Sequence, residues 1–252
     1  MALAVCGPRG AYTLTAAGGA AASATLLPQA LRLLARAGLT LHDLCAIAFG
    51  NGPGAFTGLR TACAVAQGLG LGLALPVLPL DSLLLVAEDA RLQLQGADSA
   101  TDEAPFEVVV AMDARMNEVY AGRYRWQRAG AAGGRQEGPT PGLQDESAWQ
   151  VLQAPQLCSL PTLAQAWGLA PPPVLAGSAL AAFGDRLAVP PNTLCLQTEH
   201  NRAAALLHLA ARAWAAGHAL DAAQALPLYG RDKVAQTTRE RELDREKKVR
   251  TP

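Results

Sequence analysis

Histidine is scarce in this chain. The four residues, at positions 42, 200, 208 and 218, include no HxxxH or HExxH pair that would set two imidazoles on one helical face. A histidine-ligated metal site therefore has no support, and no metal ligand is assigned. The five cysteines (Cys6, Cys45, Cys63, Cys158, Cys195) lack CxxC spacing, which excludes the usual zinc clusters. Most sit in apolar runs, so buried free thiols in a reducing compartment are expected. No apolar run reaches the about 18 residues of a membrane span. The N-terminus has no basic stretch leading into an apolar one, so a signal peptide is not expected either. A cytoplasmic protein without membrane contact is the reading. Excess charge is also lacking: 21 Lys and Arg balance 21 Asp and Glu. Such a chain has no field to draw nucleic acid by itself.

What is present is apolar: half of the 252 residues are hydrophobic. That length suits one large α/β unit or two smaller lobes. Leu3–Cys6 and Ala11–Thr15 flank a Gly7-Pro8-Arg9-Gly10 turn and predict two short strands. A helix is predicted from Ser23 or Thr25 to Ala37, with Pro28 in its first turn and Gly38 just past its end. Asp43–Phe49 reads as a buried parallel strand. A second helix runs from Thr57 to about Gly72, a strand from Pro76 to Leu80, and Asp81 or Ser82 caps a third helix. Polar residues 95–105 mark a boundary. Phe106–Met112 and Glu118–Tyr124 form a strand pair, Val174–Ala176 a short strand, and Asn201 caps a helix that ends near Gly217. Glycine-rich residues 129–143 and Pro171–Pro173 are loops. The pattern is α/β with two lobes: residues 1–100, residues 101–230, and a charged tail, 231–252.

The segment Gly50-Asn51-Gly52-Pro53-Gly54 links a strand to a helix. That geometry can offer backbone N–H groups to an anion. It matches neither a Walker A loop nor the GxGxxG fingerprint in frame. A structural elbow is the stronger reading, phosphate binding the weaker.

The helices on either side are more telling. Leu59, Ala62, Cys63, Ala66, Leu69 and Leu73 follow helical spacing and predict a core stripe. Thr61, Ala64, Val65, Gly68 and Gly72 form a second stripe of small residues. Each mid-helix glycine costs about 1 kcal/mol against alanine, so close backbone approach is expected in return. The first helix is likewise two-faced: Leu27, Leu31 and Leu34 on one side, Leu26, Ala30, Leu33 and Ala37 on the other. Helices apolar on two sides are sandwiched in a core or offered to another subunit; spacing alone leaves both open. Asp113, Arg115 and Glu118 cluster acid and base, read first as a hairpin turn with a solvated salt bridge. The tail holds eight Lys or Arg against five Asp or Glu between Arg231 and Arg250 and reads as solvated.

Four segments carry a resemblance. Gly52-Pro53-Gly54-Ala55-Phe56-Thr57-Gly58-Leu59-Arg60 resembles the GPGSFTGLR signature of the TsaB (YeaZ) family. Leu26-Leu27-Pro28 resembles its LLP, and Asp113 to Tyr120 its DARMxEVY. Pro227 to Thr238 resembles its PLYxRDKVAQTT ending. These span nearly the whole chain in order. The resemblance implies a two-lobed actin-like ATPase fold (ASKHA, ribonuclease H-like). It implies a non-catalytic scaffold that pairs with TsaD, and with TsaE in a larger complex, to form threonylcarbamoyladenosine beside the anticodon of tRNA. No cofactor is then required by this chain. ATP and metal belong to the partner subunits, and tRNA is met only through the complex. Pairing through the two helices makes Leu26, Leu27, Ala30, Leu33, Leu34, Thr57, Arg60, Thr61, Ala64, Val65 and Gly68 the expected interface, which a homodimer can share. Gly52, Gly54, Asp113, Arg115 and Glu118 are the candidates for a vestigial nucleotide-proximal set. The rival is an active enzyme: an actin-like ATPase or kinase, or an M22-type metallopeptidase relative.

One departure stands out. Family members usually begin with one further strand and an Asp-Thr-Ser type turn, so about a dozen residues are missing before Leu3. A first lobe lacking its first strand is expected to leave strand edges unpaired. A start codon assigned too far downstream is the favoured explanation.

Overall fold

The computed structural model describes residues 1–252 except 17, 20, 21, 55, 96–104, 128–147 and 231–252. The predicted glycine-rich loop at 129–143, most of the 95–105 boundary and the charged tail lie outside the described residues.

The chain opens with a hairpin. β1 (Ala2–Gly7) pairs antiparallel with β2 (Gly10–Thr15) through the predicted turn. α1 (Ala22–Ala37) ends where Gly38, at φ +69°, takes the left-handed conformation that glycine adopts without strain. The Leu39 N–H reaches the Leu34 carbonyl at 2.9 Å and the Gly38 N–H that of Ala35 at 3.0 Å. Both orphan carbonyls of the last turn are thereby used, as a Schellman ending requires. Pro28 falls in the second turn of α1, not the first.

β3 (Ile47–Asn51) starts later than the apolar run suggested. Asp43 belongs instead to a short 3-10 turn, where its carboxylate accepts from the Thr40 N–H and hydroxyl, each at 2.7 Å. β3 pairs parallel with β4 (Val77–Asp81), and α2 (Phe56–Leu73) forms the crossover between them. The pairs β1-β2 and β3-β4 are separate two-stranded sheets, with no ladder joining them among the described residues.

The second lobe holds a five-stranded mixed sheet in the order β7-β6-β5-β8-β9. Its strands are β5 (Phe106–Asp113), β6 (Glu118–Gln127), β7 (Ala148–Ser159), β8 (Val174–Ala176) and β9 (Leu194–Leu196). Alternation along β5 sorts the two faces. Val108 and Val110 pack under α3 (Ser82–Gln95) with Leu83, Val86, Ala87 and Ala90. Val109 and Ala111 pack with Leu163 and Trp167 of α4 (Leu160–Leu169) and Leu180 of α5 (Ala179–Phe183). Neither β7 nor α4 was anticipated from sequence.

α6 (Arg202–Ala215) returns to the first lobe, packing on β1, β2, β4 and α3. Its predicted cap is present: Asn201 Oδ1 accepts from the Ala204 N–H at 3.0 Å. All five cysteines are free, but only Cys63 and Cys158 are buried; Cys6, Cys45 and Cys195 are exposed. The expectation of buried thiols fails for those three: Cys6 and Cys195 lie on strands at the edges of their sheets, and Cys45 lies in a bend outside any strand.

Candidate functional site

α2 stands between two environments. Leu59, Cys63, Ala66 and Gly70 face inward, and Cys63 and Ala66 pack with Phe49 and Val77. Roughly a third of a turn away, Thr57, Arg60, Ala64, Gly68 and Leu71 recur at helical spacing and are exposed. Thr61 and Val65 are half-buried. A Cβ added at Gly68 or Gly72 would meet nothing within 4 Å, whereas one at Gly70 would lie 2.6 Å from the Ala222 Cβ. The three glycines therefore differ. Gly70 admits the chain's own backbone, and the other two leave a thin, open surface.

On α1, Leu27 and Leu31 are exposed, while Leu26 and Ala30 are half-buried. Leu33 and Leu34, expected at an interface, are 0% and 4% exposed and belong to the chain's own core. Spacing grouped Leu34 with Leu27 and Leu31, but it turns inward with Leu33 and Ala37. Neither helix contains an acidic residue, and Arg32, Arg36 and Arg60 are exposed. The outward surface is thus apolar, small-featured and cationic.

A third element lies alongside α2. Residues 222–230 run back along it from its C-terminal half to its start. Leu220 pairs with Val77 at the free edge of β4 through two 2.8 Å bonds. Gln67 Nε2 then donates to the carbonyls of Ala222 and Ala225, each at 3.2 Å. Asn51 Oδ1 accepts from the Leu228 N–H at 2.7 Å. Arg60 Nε donates to the Tyr229 hydroxyl at 3.0 Å, with its guanidinium 3.7 Å from the Phe56 ring centroid. The Phe56 and Tyr229 rings lie 5.2 Å apart. Gly230 packs so closely on Pro53 and Tyr120 that a Cβ there would clash with both. The structure therefore gathers the glycine-rich segment with the start of α2, Tyr120 and the Pro227–Gly230 segment, three stretches widely spaced in sequence.

The vestigial nucleotide candidates divide into two places. Gly52, at φ +137°, packs on Ser82 and Asp81, and Gly54 is exposed beside it. Asp113 and Arg115 pair at 3.2 Å at the tip of the β5-β6 hairpin, with Arg115 largely in solvent. Arg115, Met116 and Asn117 carry φ between 56° and 65°, and Glu118 closes the turn by accepting from the Ala114 N–H. That hairpin is the solvated turn read from sequence. A cavity of about 150 Å³ is lined by Asp89, Gln93, Gly177, Ser178 and Glu199. It is smaller than the roughly 300–1,000 Å³ of ordinary ligand sites. Both Asp89 oxygens are occupied, by the N–H groups of His200 and Asn201 and by Gln93. Among the described residues, no group of three His, Cys, Asp or Glu side chains could hold a metal ion.

Two buried polar centres between the lobes were missed. Asp81 had been read only as a cap, and its Oδ1 does accept from the Leu83 N–H at 2.8 Å. Its other oxygen takes the Tyr124 hydroxyl at 2.7 Å. Burial pushes the Asp81 carboxyl above its ordinary range, against the pull of those hydrogen bonds. It pushes the Tyr124 hydroxyl up as well. Glu88, 1% exposed, accepts from Arg91, from Trp149 Nε1 at 2.9 Å and from His208 Nδ1 at 3.2 Å. Burial alone would raise its carboxyl; bonds from His208, Arg91 and Trp149 outweigh that and hold it at about 2. The charged residues Glu88, Asp89 and Arg91 inside the leucine-rich α3 were the available signal.

The family profile of TsaD, tRNA N6-adenosine threonylcarbamoyltransferase, matches residues 20–243. A crystal structure from Pseudomonas aeruginosa, of an uncharacterized protein with similarity to peptidase YEAZ, superposes with TM-score 0.70 at 32% identity. That superposition covers 91% of this chain and 94% of the other. The chain belongs to the TsaD family, and within it to the TsaB (YeaZ) proteins. A second structure, YeaZ from Pseudomonas aeruginosa, gives TM-score 0.67 at 31% identity over 90% of this chain and 93% of its own. The fold is accordingly the two-lobed actin-like one. Two relatives named tRNA threonylcarbamoyladenosine biosynthesis protein TsaB share shorter segments. The Haemophilus influenzae protein is 45% identical over 95 residues, and the Escherichia coli protein 39% over 100. Those segments cover 38% and 40% of this chain, and only 36% and 39% of the relatives' length. No helix among the described residues is long and apolar enough to cross a membrane.

Proposed function

We propose that this chain is a non-catalytic subunit in the synthesis of threonylcarbamoyladenosine on tRNA, acting by docking to a TsaD-type threonylcarbamoyltransferase in the cytoplasm. The observation that carries the reading is the outward side of α2. Thr57, Arg60, Ala64, Gly68 and Leu71 are exposed there, on a helix whose glycines leave room for another backbone. A folded monomer gains nothing from the mid-helix glycine at Gly68, which costs about 1 kcal/mol. A helix pair from a partner, seated against this side with Leu27 and Leu31, would recover that cost through close packing. Ala30, Leu26, Thr61 and Val65 are half-buried at the margin of the same seam. The partner brings ATP and metal, a TsaE-type ATPase joins the larger complex, and tRNA is held through the assembly. In the partner's absence a second copy of this chain can occupy the seam.

Reconstitution tests this. Purified partner subunits with this chain are expected to modify tRNA, and the Ala64→Arg variant, folded as judged by its melting curve, to restore no activity and to fail in co-purification. Full activity with Ala64→Arg would refute the seam. The rival reading, an ATPase or kinase built on the Gly50–Gly54 turn, is tested on the isolated chain by calorimetric titration with magnesium ATP. Tight binding with turnover would favour it.

A further inference from the structure

We infer that residues 226–229 form a third docking element beside α1 and α2, and that they contact the same threonylcarbamoyltransferase subunit. The inference rests on the helix-seam reading above and extends it. Leu226, Leu228 and Tyr229 are 72%, 59% and 42% exposed, three large apolar side chains within four residues. Isolated exposed leucines need no explanation; a run of them on a fixed backbone does. This backbone is fixed. It is held by Gln67 at Ala222 and Ala225, by Asn51 at Leu228, by Arg60 and Phe56 at Tyr229, and by Pro53 and Tyr120 at Gly230. A segment tied at its ends and middle presents its side chains with little ordering cost left to pay on binding.

Position decides the partner. Gln67, Arg60 and Phe56, which hold the segment, lie on the flank of α2 next to Thr57, Ala64 and Leu71. Arg60 and Tyr229 thereby join the small stripe of α2 to the segment that carries Leu228 and Leu226. The composition of the joined surface fits a hot-spot cluster: an arginine and a tyrosine paired at the centre, with leucines around them. The charge that the described residues give it, at Arg60, is cationic, so the matching surface is apolar with a carboxylate opposite Arg60.

The test compares three forms of the full chain for affinity to an immobilised threonylcarbamoyltransferase subunit: native, Ala64→Arg, and the double variant Leu226→Ser with Leu228→Ser. Because both leucines project into solvent, the double variant is expected to melt like the native chain. Its affinity is expected to fall about tenfold or more. Native affinity in the double variant, with Ala64→Arg unable to bind, would overturn the third element and leave the helix seam standing. Loss in the double variant alone would keep this element and refute the seam. Native binding by both variants would refute both. Light scattering on the same samples supplies the remaining outcome: a double variant that loses only self-association, with partner affinity unchanged, also overturns the inference.

Discussion

Tyr124 of the five-stranded sheet donates its hydroxyl to Asp81 at the end of β4, a 2.7 Å bond that ties the two lobes across 43 residues of sequence. Tyr124 is fully buried, and its ring meets Trp149 edge-on at 6.4 Å. Removing the hydroxyl in Tyr124→Phe leaves the buried Asp81 oxygen without that donor. A loss of about 1–3 kcal/mol is expected, read from urea unfolding. Asp81→Asn removes the titration instead. The Asp81 carboxyl is raised above 3.8 by burial, so the stability it contributes is complete below that value and is lost as pH rises through the folded one. The amide carries no charge, but it has one acceptor oxygen where the carboxylate uses two, for the Leu83 N–H and the Tyr124 hydroxyl. Asp81→Asn is therefore expected to flatten the loss of stability between acid and neutral pH, and a profile parallel to that of the native chain would contradict this.

Glu88 sets the opposite dependence. Its carboxyl falls from 4.5 to about 2 on folding, so its contribution is complete above 4.5 and is lost as pH drops towards 2. The linkage is on the order of 3 kcal/mol. Glu88→Gln is expected to flatten the acid limb of a stability–pH curve. It should also cost several kcal/mol at neutral pH, because Arg91 would remain buried beside Trp126 without its carboxylate.

The glycines of α2 predict contrasting substitutions. Gly68→Ala adds a Cβ into open space and should raise the melting temperature by the equivalent of about 1 kcal/mol. Gly70→Ala drives a Cβ to 2.6 Å from that of Ala222 and 3.0 Å from the Leu75 carbonyl. It should cost about 1–3 kcal/mol and loosen residues 222–230. Thermal melts of the two variants check the pair.

Much of this architecture can be read in the sequence where the signal is local. The β1-β2 hairpin, the Gly38 stop of α1, the Asn201 cap and the β5-β6 pair follow from turn residues and spacing within a few positions. β7 is harder to read. It is an edge strand with polar and apolar residues mixed, Pro155 inside it, and a register shift against β6. The outer face of α2 was visible as a stripe of small residues. The inward turn of Leu33 and Leu34 was not, because both sides of α1 are leucine-rich and spacing cannot say which is covered. The packing of residues 222–230 on α2 depends on partners more than 150 positions away, such as Arg60 for Tyr229, and no local pattern encodes it. The Asp81–Tyr124 and Glu88–Trp149 pairs span 43 and 61 positions; the charges within α3 mark Glu88, but no local pattern names either partner.

Hydrogen–deuterium exchange of this chain with and without the purified threonylcarbamoyltransferase subunit tests the docking account most directly. The account predicts slower exchange in peptides covering residues 26–31 and 57–72 of α1 and α2, while the strands of the five-stranded sheet stay unchanged. A stable complex in which the α2 peptides exchange at the rate of the free chain would contradict it.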